Sequence, residues 1–599
     1  MNNKGRNLVI IISIALVSIL IRLLFIYTIP YDSDEITWSI IGRRVLSGED
    51  FHIFFLNQKY MGAIEGYIVG IFQAIFGYNL ITLRINSLLF STITSIAIFL
   101  ILKKIVGTRY ALLGPIIFNL ASYDVTSNYT KAWGNRPLVS LIGLLVVYAC
   151  WYLFLSEEKI KEDKRIWLSS LTGVFLGLSF WANLENVYFI VIAFIISILG
   201  MLSNRSGKSI KGIKKEISLR LHNSKKINID KIISFIFYAL IFWLFYMLAT
   251  KKALFNPYET LSVKLGLEDQ NLQFLNYSFE TQFFLLLFYI IAPIKLLLYP
   301  SKDKKVKSFS LIFALFMLGA YFTISRNSIE RTNQIEETFQ EQYDFLTGAI
   351  LPLFFGTNLK SLAFALMMTF PGIILVRAIY KVFKDTLKNG KLRIDLENIF
   401  CFYYLIPILF FLSKAGGING SSRYITNMWP GFVILFVLGF YTLFKNKNII
   451  LKICAVSILI FFINRNYVIY KAAANNLKQK EYANTDYIRA AKYLVDRGIK
   501  GCYAGYWNAY PIMFESDYKV ICSPSPYFGY GENETPFNTI IVDSFDNPAF
   551  VFTTQKRVDE FFRKWACPIT EANCDNKEIE IIEKTNIGRY FIFLSQRLE

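Results

Sequence analysis

Histidine is almost absent from this chain of 599 residues, in which only His52 and His222 occur. Zinc centres in proteins are built largely from histidine and cysteine, so the sequence argues against a zinc centre made with histidine. The chain also lacks a Walker A loop, the glycine fingerprint of dinucleotide-binding folds and a Ser-His-Asp order. These absences argue against soluble nucleotide-sugar chemistry. The sequence shows no internal repeat of fixed period.

Acidic residues are in the minority, with 44 Asp and Glu against 64 Lys and Arg, and the net charge is +20. A charge of that size can indicate nucleic-acid binding. Here, however, the basic residues concentrate in short segments between alternate apolar runs, which is the positive-inside pattern of membrane proteins. We therefore expect no nucleic-acid partner. The basic segments lie at 4–6, 103–109, 159–165, 205–231, 302–307, 381–393 and 445–452.

Apolar residues are abundant, since 54% of the chain is hydrophobic and 17% is aromatic. Many fall in runs long enough to cross a hydrocarbon core of roughly 30 Å as helices, which satisfy the backbone hydrogen bonds in lipid. The first run, 7–29, is too long for the apolar region of a signal peptide, so we interpret it as a retained span. The predicted spans, about thirteen, lie near 7–29, 79–102, 109–123, 137–155, 167–182, 187–202, 232–249, 281–299, 309–324, 361–380, 398–413, 428–444 and 449–465.

An odd number of spans that begins in the cytoplasm ends outside it. The sequence therefore predicts an α-helical polytopic membrane protein with a transmembrane domain at 1–465, an extracytoplasmic loop at 30–79 and a small extracytoplasmic α/β domain at 466–599. Within the loop, the amphipathic stretch 60–76 is expected to lie along the membrane interface. In the tail, helices are predicted at 485–497 and 558–565, and strands at 518–522, 549–553 and 589–594.

The seven cysteines divide into two groups. Three of them, Cys150, Cys401 and Cys454, fall in apolar runs, where cysteine packs as a small hydrophobe. The other four, Cys502, Cys522, Cys567 and Cys574, fall in the tail. An even number outside the cytoplasm permits two disulfides, and 502–522 with 567–574 is one possible pairing. Four free thiols remain the alternative.

Three carboxylates, those of Asp32, Asp34 and Glu35, directly follow the first span. At a membrane surface they repel one another and must be solvated, paired or bound to a cation. Apolar residues at helical spacing follow, so we expect the acids at a helix N-terminus, where the dipole favours negative charge. A solvated loop that ends the first helix is the alternative. The spacing of Asp32 and Asp34 could also bind Mg²⁺, Mn²⁺ or Ca²⁺, which prefer oxygen ligands.

Several segments in a fixed order carry a family resemblance. They are Asp34-Glu35, the Q-x-Y-M-G-x-x-E pattern at 58–65, Leu83-Arg84, and Gly416-Gly417 with Ser422-Arg423-Tyr424 and Pro430, to which the tail adds the segment 504–511. In this order they resemble the GT-C superfamily of polyprenyl-phosphate-sugar-dependent glycosyltransferases. The most similar branches are the protein O-mannosyltransferases and the aminoarabinose transferases of lipid A.

The resemblance implies a GT-C-type membrane fold and an inverting transfer in which Asp34 takes the proton of an acceptor hydroxyl. Asp32, Glu35 and Glu65 would act on the acceptor or support the site. The residues expected at the donor phosphate are Arg423, Tyr424, Arg84, Lys131 and Arg136. Arg423 could instead snorkel to the interface, Arg84 could anchor a helix end, and Glu65 could pair with either arginine. The resemblance implies no required cofactor, although a divalent cation at Asp32 and Asp34 stays open.

The expected partners are a polyprenyl-phosphate-linked sugar, membrane lipids and an extracytoplasmic glycan, lipid or protein acceptor. Two rival functions remain. A transporter or flippase for lipid-linked saccharides would be expected to show internal repeats and spans broken at matched positions, which this sequence lacks. A glycan ligase or polymerase with a diphosphate-linked donor differs only in the leaving group, so the sequence does not separate it from the favoured function.

Overall fold

The chain is described from a computed structural model, which describes residues 3–49, 52, 54–56, 58–158, 160–183, 186–203, 308–309, 312, 347–348, 362–389, 395–412, 426–478, 485–524, 536–564, 566–567 and 579–597. The predicted spans at 232–249 and 281–299, and nearly all of 309–324, lie outside these residues. Arg423, Tyr424 and Cys574 lie outside them as well.

Helices account for most of the described chain before residue 479. They are α1 (Asn3–Ile26), α2 (Ser33–Leu46), α3 (Ile64–Phe76), α4 (Leu80–Val106), α5 (Thr108–Ala111), α6 (Leu113–Asn119), α7 (Tyr123–Asn128), α8 (Arg136–Phe154), α9 (Glu162–Ala182), α10 (Val187–Ser203), α11 (Leu362–Asn389), α12 (Leu396–Leu412), α13 (Trp429–Phe444) and α14 (Ile449–Lys478). Between α2 and α3, two short antiparallel strands pair, β1 (Phe54–Phe55) and β2 (Gln58–Gly62).

Within the described residues, five helices are long and apolar enough to cross a membrane, and the chain is an integral membrane protein. These helices are Gly5–Ile26, Leu80–Val106, Arg136–Phe154, Thr426–Phe444 and Ile449–Lys478. The total of thirteen spans and the orientation of the termini stay predictions.

Two of the predicted helices differ in the structure. The predicted span 109–123 consists instead of the short helices α5 and α6, which are separated at Leu112. Pro115 explains the break, because proline has no N–H to bond the carbonyl four residues earlier and its ring clashes with that carbonyl. The amphipathic stretch predicted from residue 60 becomes helical only at Ile64, because β2 occupies the residues before it.

The contacts of the chain divide it into two units. The first comprises Met1–Ala15, Phe90–Val125 and Arg136–Asn466, and the second comprises Leu16–Leu89, Thr126–Asn135 and Tyr467–Glu599. In the first unit, helix α8 packs on α9 and α10, and α13 packs on α11 and α12. Polar bonds are buried among these helices, since Ser140 Oγ donates to Asn427 Oδ1 at 2.5 Å and Trp429 Nε1 donates to the carbonyl of Phe118 at 3.3 Å.

The second unit contains a mixed six-stranded sheet in the order β4-β3-β5-β8-β7-β6. Its strands are β3 (Gly501–Ala504), β4 (Ile521–Ser523), β5 (Ala549–Phe552), β6 (Ala566–Cys567), β7 (Ile579–Ile587) and β8 (Tyr590–Arg597). Its helices are α15 (Thr485–Asp496), α16 (Tyr506–Glu515), α17 (Pro536–Asp543) and α18 (Gln555–Lys564). Strand β3 runs parallel to β4 and β5, and the helices α16 and α17 make the crossovers that parallel pairing requires.

Helix α2 crosses α3 at glycines. A Cβ atom on Gly42 would lie 2.5 Å from the carbonyl oxygen of Gly66 and 2.6 Å from Cα of Gly70. Small residues let two helix backbones approach this closely. The crossing fixes α2, whose first turn carries the carboxylates predicted to do the chemistry.

One apolar core connects α2 with the tail. Ile36, Trp38 and Ile40 of α2 belong to the same buried cluster as Ala509 and Met513 of α16. The described tail residues and the predicted outside loop therefore belong to one packed unit, and the domain boundary at residue 465 stays a prediction. The physical reason is that α2 is apolar on the face that meets α16, and burying both faces together removes them from water.

Candidate active site

Helix α2 begins with Asp32 as its N-cap. The Oδ1 atom of Asp32 accepts a hydrogen bond from the backbone N–H of Glu35 at 3.1 Å. Such a bond satisfies one of the donors that the first helical turn leaves unpaired. Asp34 and Glu35 lie in that same turn, where the helix dipole favours negative charge. The prediction that the acids stand at a helix N-terminus is confirmed.

Glu35 forms a buried ion pair with Arg84. The Nε and Nη2 atoms of Arg84 each donate to one carboxylate oxygen of Glu35 at 2.7 Å, and neither side chain has exposed surface. The Nη1 atom donates to the carbonyl oxygens of Ile26 and Ile29 at 2.5 and 3.1 Å. Arg84 therefore holds Glu35 and the end of the first helix, and in this structure it presents no surface to a donor phosphate.

Asp34 is half-buried and accepts hydrogen bonds from two neutral donors. Tyr506 Oη donates to Oδ1 of Asp34 at 2.7 Å. The indole Nε1 of Trp133 approaches Oδ2 at 3.4 Å. The carboxylate expected to act as the base is thus oriented by one residue from the tail and one from the segment before α8.

Lys131 lies against Asp32 and Trp133. Its Nζ atom donates to Oδ2 of Asp32 at 2.5 Å and stands 4.5 Å from the centre of the Trp133 ring. The side chain of Lys131 is 7% exposed and that of Asp32 is 23% exposed. The amine therefore neutralises Asp32 while one edge of the pair remains open to solvent.

Glu65, at the start of α3, is also fully buried. Its Oε1 atom accepts from Asn86 Nδ2 at 2.9 Å, and its Oε2 atom accepts from the backbone N–H of Asn135 at 2.7 Å. Glu65 thus bonds to neutral donors, whereas the predicted partner Arg84 pairs with Glu35. The alternative partner, Arg423, lies outside the described residues.

The segment 131–135 contacts every one of these carboxylates. Lys131 bonds Asp32, the backbone N–H of Ala132 donates to Glu35 at 2.9 Å, Trp133 reaches Asp34, and Asn135 bonds Glu65. The turn that brings these groups together uses positive φ at Gly134 and Asn135, 78° and 59°, which glycine and asparagine tolerate better than other residues. A segment predicted from its charge to bind phosphate is therefore also the scaffold of the carboxylates.

Other predicted residues lie elsewhere. Arg136 is the first residue of α8, is buried and belongs to the first unit. Cys502 and Cys522 form a disulfide between neighbouring positions of β3 and β4. The side chain of Cys567 is not described. Among the residues that the structure describes, no three or more His, Cys, Asp or Glu side chains are grouped as metal ligands would be.

Two contacts of Asp34 were not predicted from the sequence. Trp133 stands in the basic segment, and Tyr506 stands in the tail segment 504–511, which contributed to the family resemblance without a role. Both could be suspected as polar aromatic residues beside functional motifs. Only the fold, however, brings Tyr506 to Asp34 across 472 positions of the chain.

A second acidic residue of α16 lies beside the site. Tyr31, which precedes Asp32, is buried, and its hydroxyl donates to Oε1 of Glu515. Burial raises the pKa of Glu515, the nearby charge of Asp517 raises it further, and the hydrogen bond from Tyr31 opposes the shift. The ring of Tyr31 also stacks on that of Tyr487, with 5.6 Å between the ring centres. The loop before α2 is thereby attached to α15 and α16.

Comparison with known proteins gives a family match and several distant structural similarities. A family model for dolichyl-phosphate-mannose-protein mannosyltransferases matches residues 64–213. No curated protein matches the chain. An oligosaccharyltransferase of Archaeoglobus fulgidus in the apo form is 11% identical, with a TM-score of 0.46 over 92% of this chain and 70% of the other.

Two further solved structures are similar at the same low level. ArnT from Cupriavidus metallidurans, bound to undecaprenyl phosphate, is 10% identical, with a TM-score of 0.38 over 99% of this chain and 98% of the other. The oligosaccharyltransferase AglB from Archaeoglobus fulgidus, in complex with an inhibitory peptide and a dolichol-phosphate, is 13% identical, with a TM-score of 0.45 over 91% and 69%.

The family match includes Glu65, Arg84 and the segment 131–135, which are parts of the site described above. It confirms the resemblance to the GT-C superfamily of glycosyltransferases that the sequence motifs indicate.

Proposed function

We propose that the chain is a membrane-embedded glycosyltransferase that moves a sugar from a polyprenyl-phosphate donor to an extracytoplasmic glycan, lipid or protein acceptor, with Asp34 as the general base. The observation that carries this proposal is the place and orientation of Asp34. It lies in the first turn of α2, is half-buried and keeps exposed surface. Tyr506 and Trp133 contact its two carboxylate oxygens.

The chemistry follows from that arrangement. An acceptor hydroxyl must lose its proton as its oxygen attacks the anomeric carbon, and a carboxylate within hydrogen-bond reach takes that proton. As the new carbon–oxygen bond forms, the bond from the anomeric carbon to the phosphate oxygen breaks, and its electron pair leaves on the polyprenyl phosphate. Attack from the face opposite the phosphate inverts the anomeric configuration. One carboxylate suffices, because the phosphate needs charge stabilisation and not an acid.

The charge stabilisation falls to the cations of the site. Lys131 lies beside the carboxylates with part of its ion pair open to solvent. Arg136, together with Arg423 and Tyr424, which lie outside the described residues, stays a phosphate-binding residue proposed from the sequence, since a guanidinium can bond a phosphate at two points. We assign Arg84 and Glu65 a structural role in supporting the site, because both are fully buried and hydrogen-bonded within the protein. The matched family model is named for dolichyl-phosphate-mannose-protein mannosyltransferases. That name supports a polyprenyl-phosphate-linked sugar as the donor.

The site is proposed to lie outside the cytoplasm, with the N-terminus inside and the tail outside. The concentration of basic residues between alternate apolar runs supports this orientation. A lipid-linked donor also suits that side of the membrane, where nucleotide sugars are absent. No cofactor is proposed as a requirement.

The test compares wild type with Asp34→Asn in membranes from a strain whose own copy is deleted, supplied with a panel of undecaprenyl-phosphate hexoses and pentoses. Release of undecaprenyl phosphate, followed by mass spectrometry, is expected from wild type and to fall by at least about 100-fold in the variant, in line with the loss of a general base. Asp163→Asn, an exposed aspartate in the first turn of α9, is the matched control and should retain full activity. Normal turnover by Asp34→Asn would refute the base assignment. Passage of the donor across the membrane without its cleavage would favour the transporter.

A further inference from the structure

We infer that Tyr506 is a positioning residue that the tail supplies to the active site, where its hydroxyl orients the carboxylate of Asp34 for proton transfer. This inference rests on the function proposed above. It assigns the tail a part in catalysis.

The hydroxyl of Tyr506 bonds directly to the carboxylate of Asp34. It donates to Oδ1 at 2.7 Å, the length expected for a strong O–H···O bond to a carboxylate. The indole of Trp133 approaches Oδ2 at 3.4 Å, which is a longer contact. The short bond from Tyr506 favours the ionised carboxylate and restricts its rotation, so Tyr506 keeps Asp34 charged and oriented for the acceptor hydroxyl.

Tyr506 is itself fixed, so it can fix Asp34. Tyr506 is 6% exposed. Its ring packs edge to face against the rings of Trp507 and Tyr510, whose centres lie 4.9 and 5.4 Å from its own. Its backbone carbonyl accepts a hydrogen bond from the hydroxyl of Ser33, the residue before Asp34. Two bonds thus run between Tyr506 and adjacent residues of α2, one to the backbone and one to the reacting side chain. A rigid partner that is held by its own packing is what a preorganised site requires.

The test is Tyr506→Phe, which removes only the hydroxyl. We expect kcat for release of undecaprenyl phosphate to fall roughly 10-fold, the effect of losing one hydrogen bond to a charged group. KM for the lipid-linked donor should change less than about twofold, since a positioning role affects proton transfer and not donor binding. The acid limb of the pH–kcat profile should move to higher pH by about one unit, because the bond favours the ionised carboxylate. A purely structural hydroxyl would not move that limb.

Tyr518→Phe is the matched control. The hydroxyl of Tyr518 also reaches α2 from the tail, donating to Ser39 Oγ at 2.7 Å, but it touches no carboxylate. If Tyr506 only attached the tail to α2, the two variants would lower activity equally and leave the pH profile unchanged. The positioning role predicts a displaced acid limb in Tyr506→Phe alone.

The double variant Asp34→Asn/Tyr506→Phe and its two single variants separate the positioning role of Tyr506 from the proposed function, in which Asp34 is the base. The two residues act as one unit, so the double variant should be no slower than Asp34→Asn. An active Asp34→Asn would overturn the proposed function itself. An inactive Asp34→Asn together with a Tyr506→Phe variant that behaves like Tyr518→Phe would overturn this inference and leave the proposed function standing.

Discussion

The carboxylate of Glu35 and the guanidinium of Arg84 meet at two points, both at 2.7 Å, and neither side chain has exposed surface. A buried pair of this kind is costly to break, because the remaining partner keeps an uncompensated charge away from water. We expect Arg84→Met to destabilise the protein by about 3–5 kcal/mol. Arg84→Lys should also be destabilising, since a lysine makes no two-point bond.

Thermal unfolding in detergent, followed by tryptophan fluorescence, measures this effect. The control is Glu158→Gln, which breaks the ion pair between Lys104 and Glu158. Those side chains are 37% and 51% exposed, and exposed pairs contribute little, so the control should unfold at the wild-type temperature. Equal unfolding temperatures for Arg84→Met and wild type would show that the buried pair does not hold α2.

The glycine crossing of α2 and α3 gives a second prediction. In Gly70→Ala the new Cβ would lie 2.7 Å from Cα of Gly42 and 2.8 Å from its carbonyl oxygen, so the helices must separate. We expect a loss of about 1–3 kcal/mol from overpacking and a fall in kcat, because α2 carries Asp34. Gly372→Ala, inside helix α11 with nothing within 4 Å, is the control and should leave stability unchanged or slightly raised. Similar behaviour of the two variants would contradict the close crossing.

The disulfide between Cys502 and Cys522 spans a sequence separation of 20 and encloses α16, the helix that begins at Tyr506. Replacing both cysteines by alanine should cost about 3 kcal/mol, the effect expected from a loop of this length. Activity should therefore disappear at a lower temperature than in wild type. Cys454→Ala, which removes an exposed free thiol, is the matched control and should not change this temperature. Turnover measured after brief heating at a series of temperatures distinguishes the variants.

The start of α2 at Asp32 was predictable because a capping carboxylate and a following apolar periodicity are local signals. The tail elements at Ala549–Phe552 and Thr485–Asp496 were predictable for the same reason. The strand predicted at 518–522 begins only at Ile521, because positive φ at Asp517 and Tyr518 forms a turn that the apolar pattern does not show.

The sequence was enough to identify the residues of the site, but it did not show which of them pair with one another. The acids were conspicuous because charges are costly beside a membrane. Which cation neutralises which acid depends on contacts over long stretches of chain, such as the 99 positions from Asp32 to Lys131. The periodicity of apolar residues is a local pattern and does not show which distant residues are in contact. Arg84 could therefore be recognised as a site residue, while its burial against Glu35 could only be learned from the fold.

A divalent cation at Asp32 and Asp34 is the fourth matter for test. One oxygen of Asp32 caps the helix and the other bonds Lys131 at 2.5 Å, so a cation would have to displace the amine. We therefore expect turnover to be unchanged after treatment with EDTA and after later addition of Mg²⁺, Mn²⁺ or Ca²⁺. Loss of activity with EDTA that Mn²⁺ restores would make Asp32 a ligand instead of the partner of Lys131. Lys131→Met, measured in parallel, should raise KM for the donor if the amine binds its phosphate.

Burial of Glu515, which accepts a hydrogen bond from Tyr31, should make the stability of the protein depend on pH. Because burial raises the pKa of Glu515, folding favours its protonated form. The stability that this group contributes is fully present below its ordinary pKa, about 4.5, and is lost as the pH rises through the raised value in the folded protein. Glu515→Gln removes the ionisation and keeps an oxygen to accept from Tyr31. The difference in unfolding temperature, variant minus wild type, should therefore grow between pH 4.5 and neutrality.

Glu560→Gln, at an exposed site on α18, is the control. Its unfolding temperature should differ from that of wild type by the same amount at every pH in this range. A constant difference for Glu515→Gln as well would mean that Glu515 is as well solvated in the folded chain as in the unfolded one.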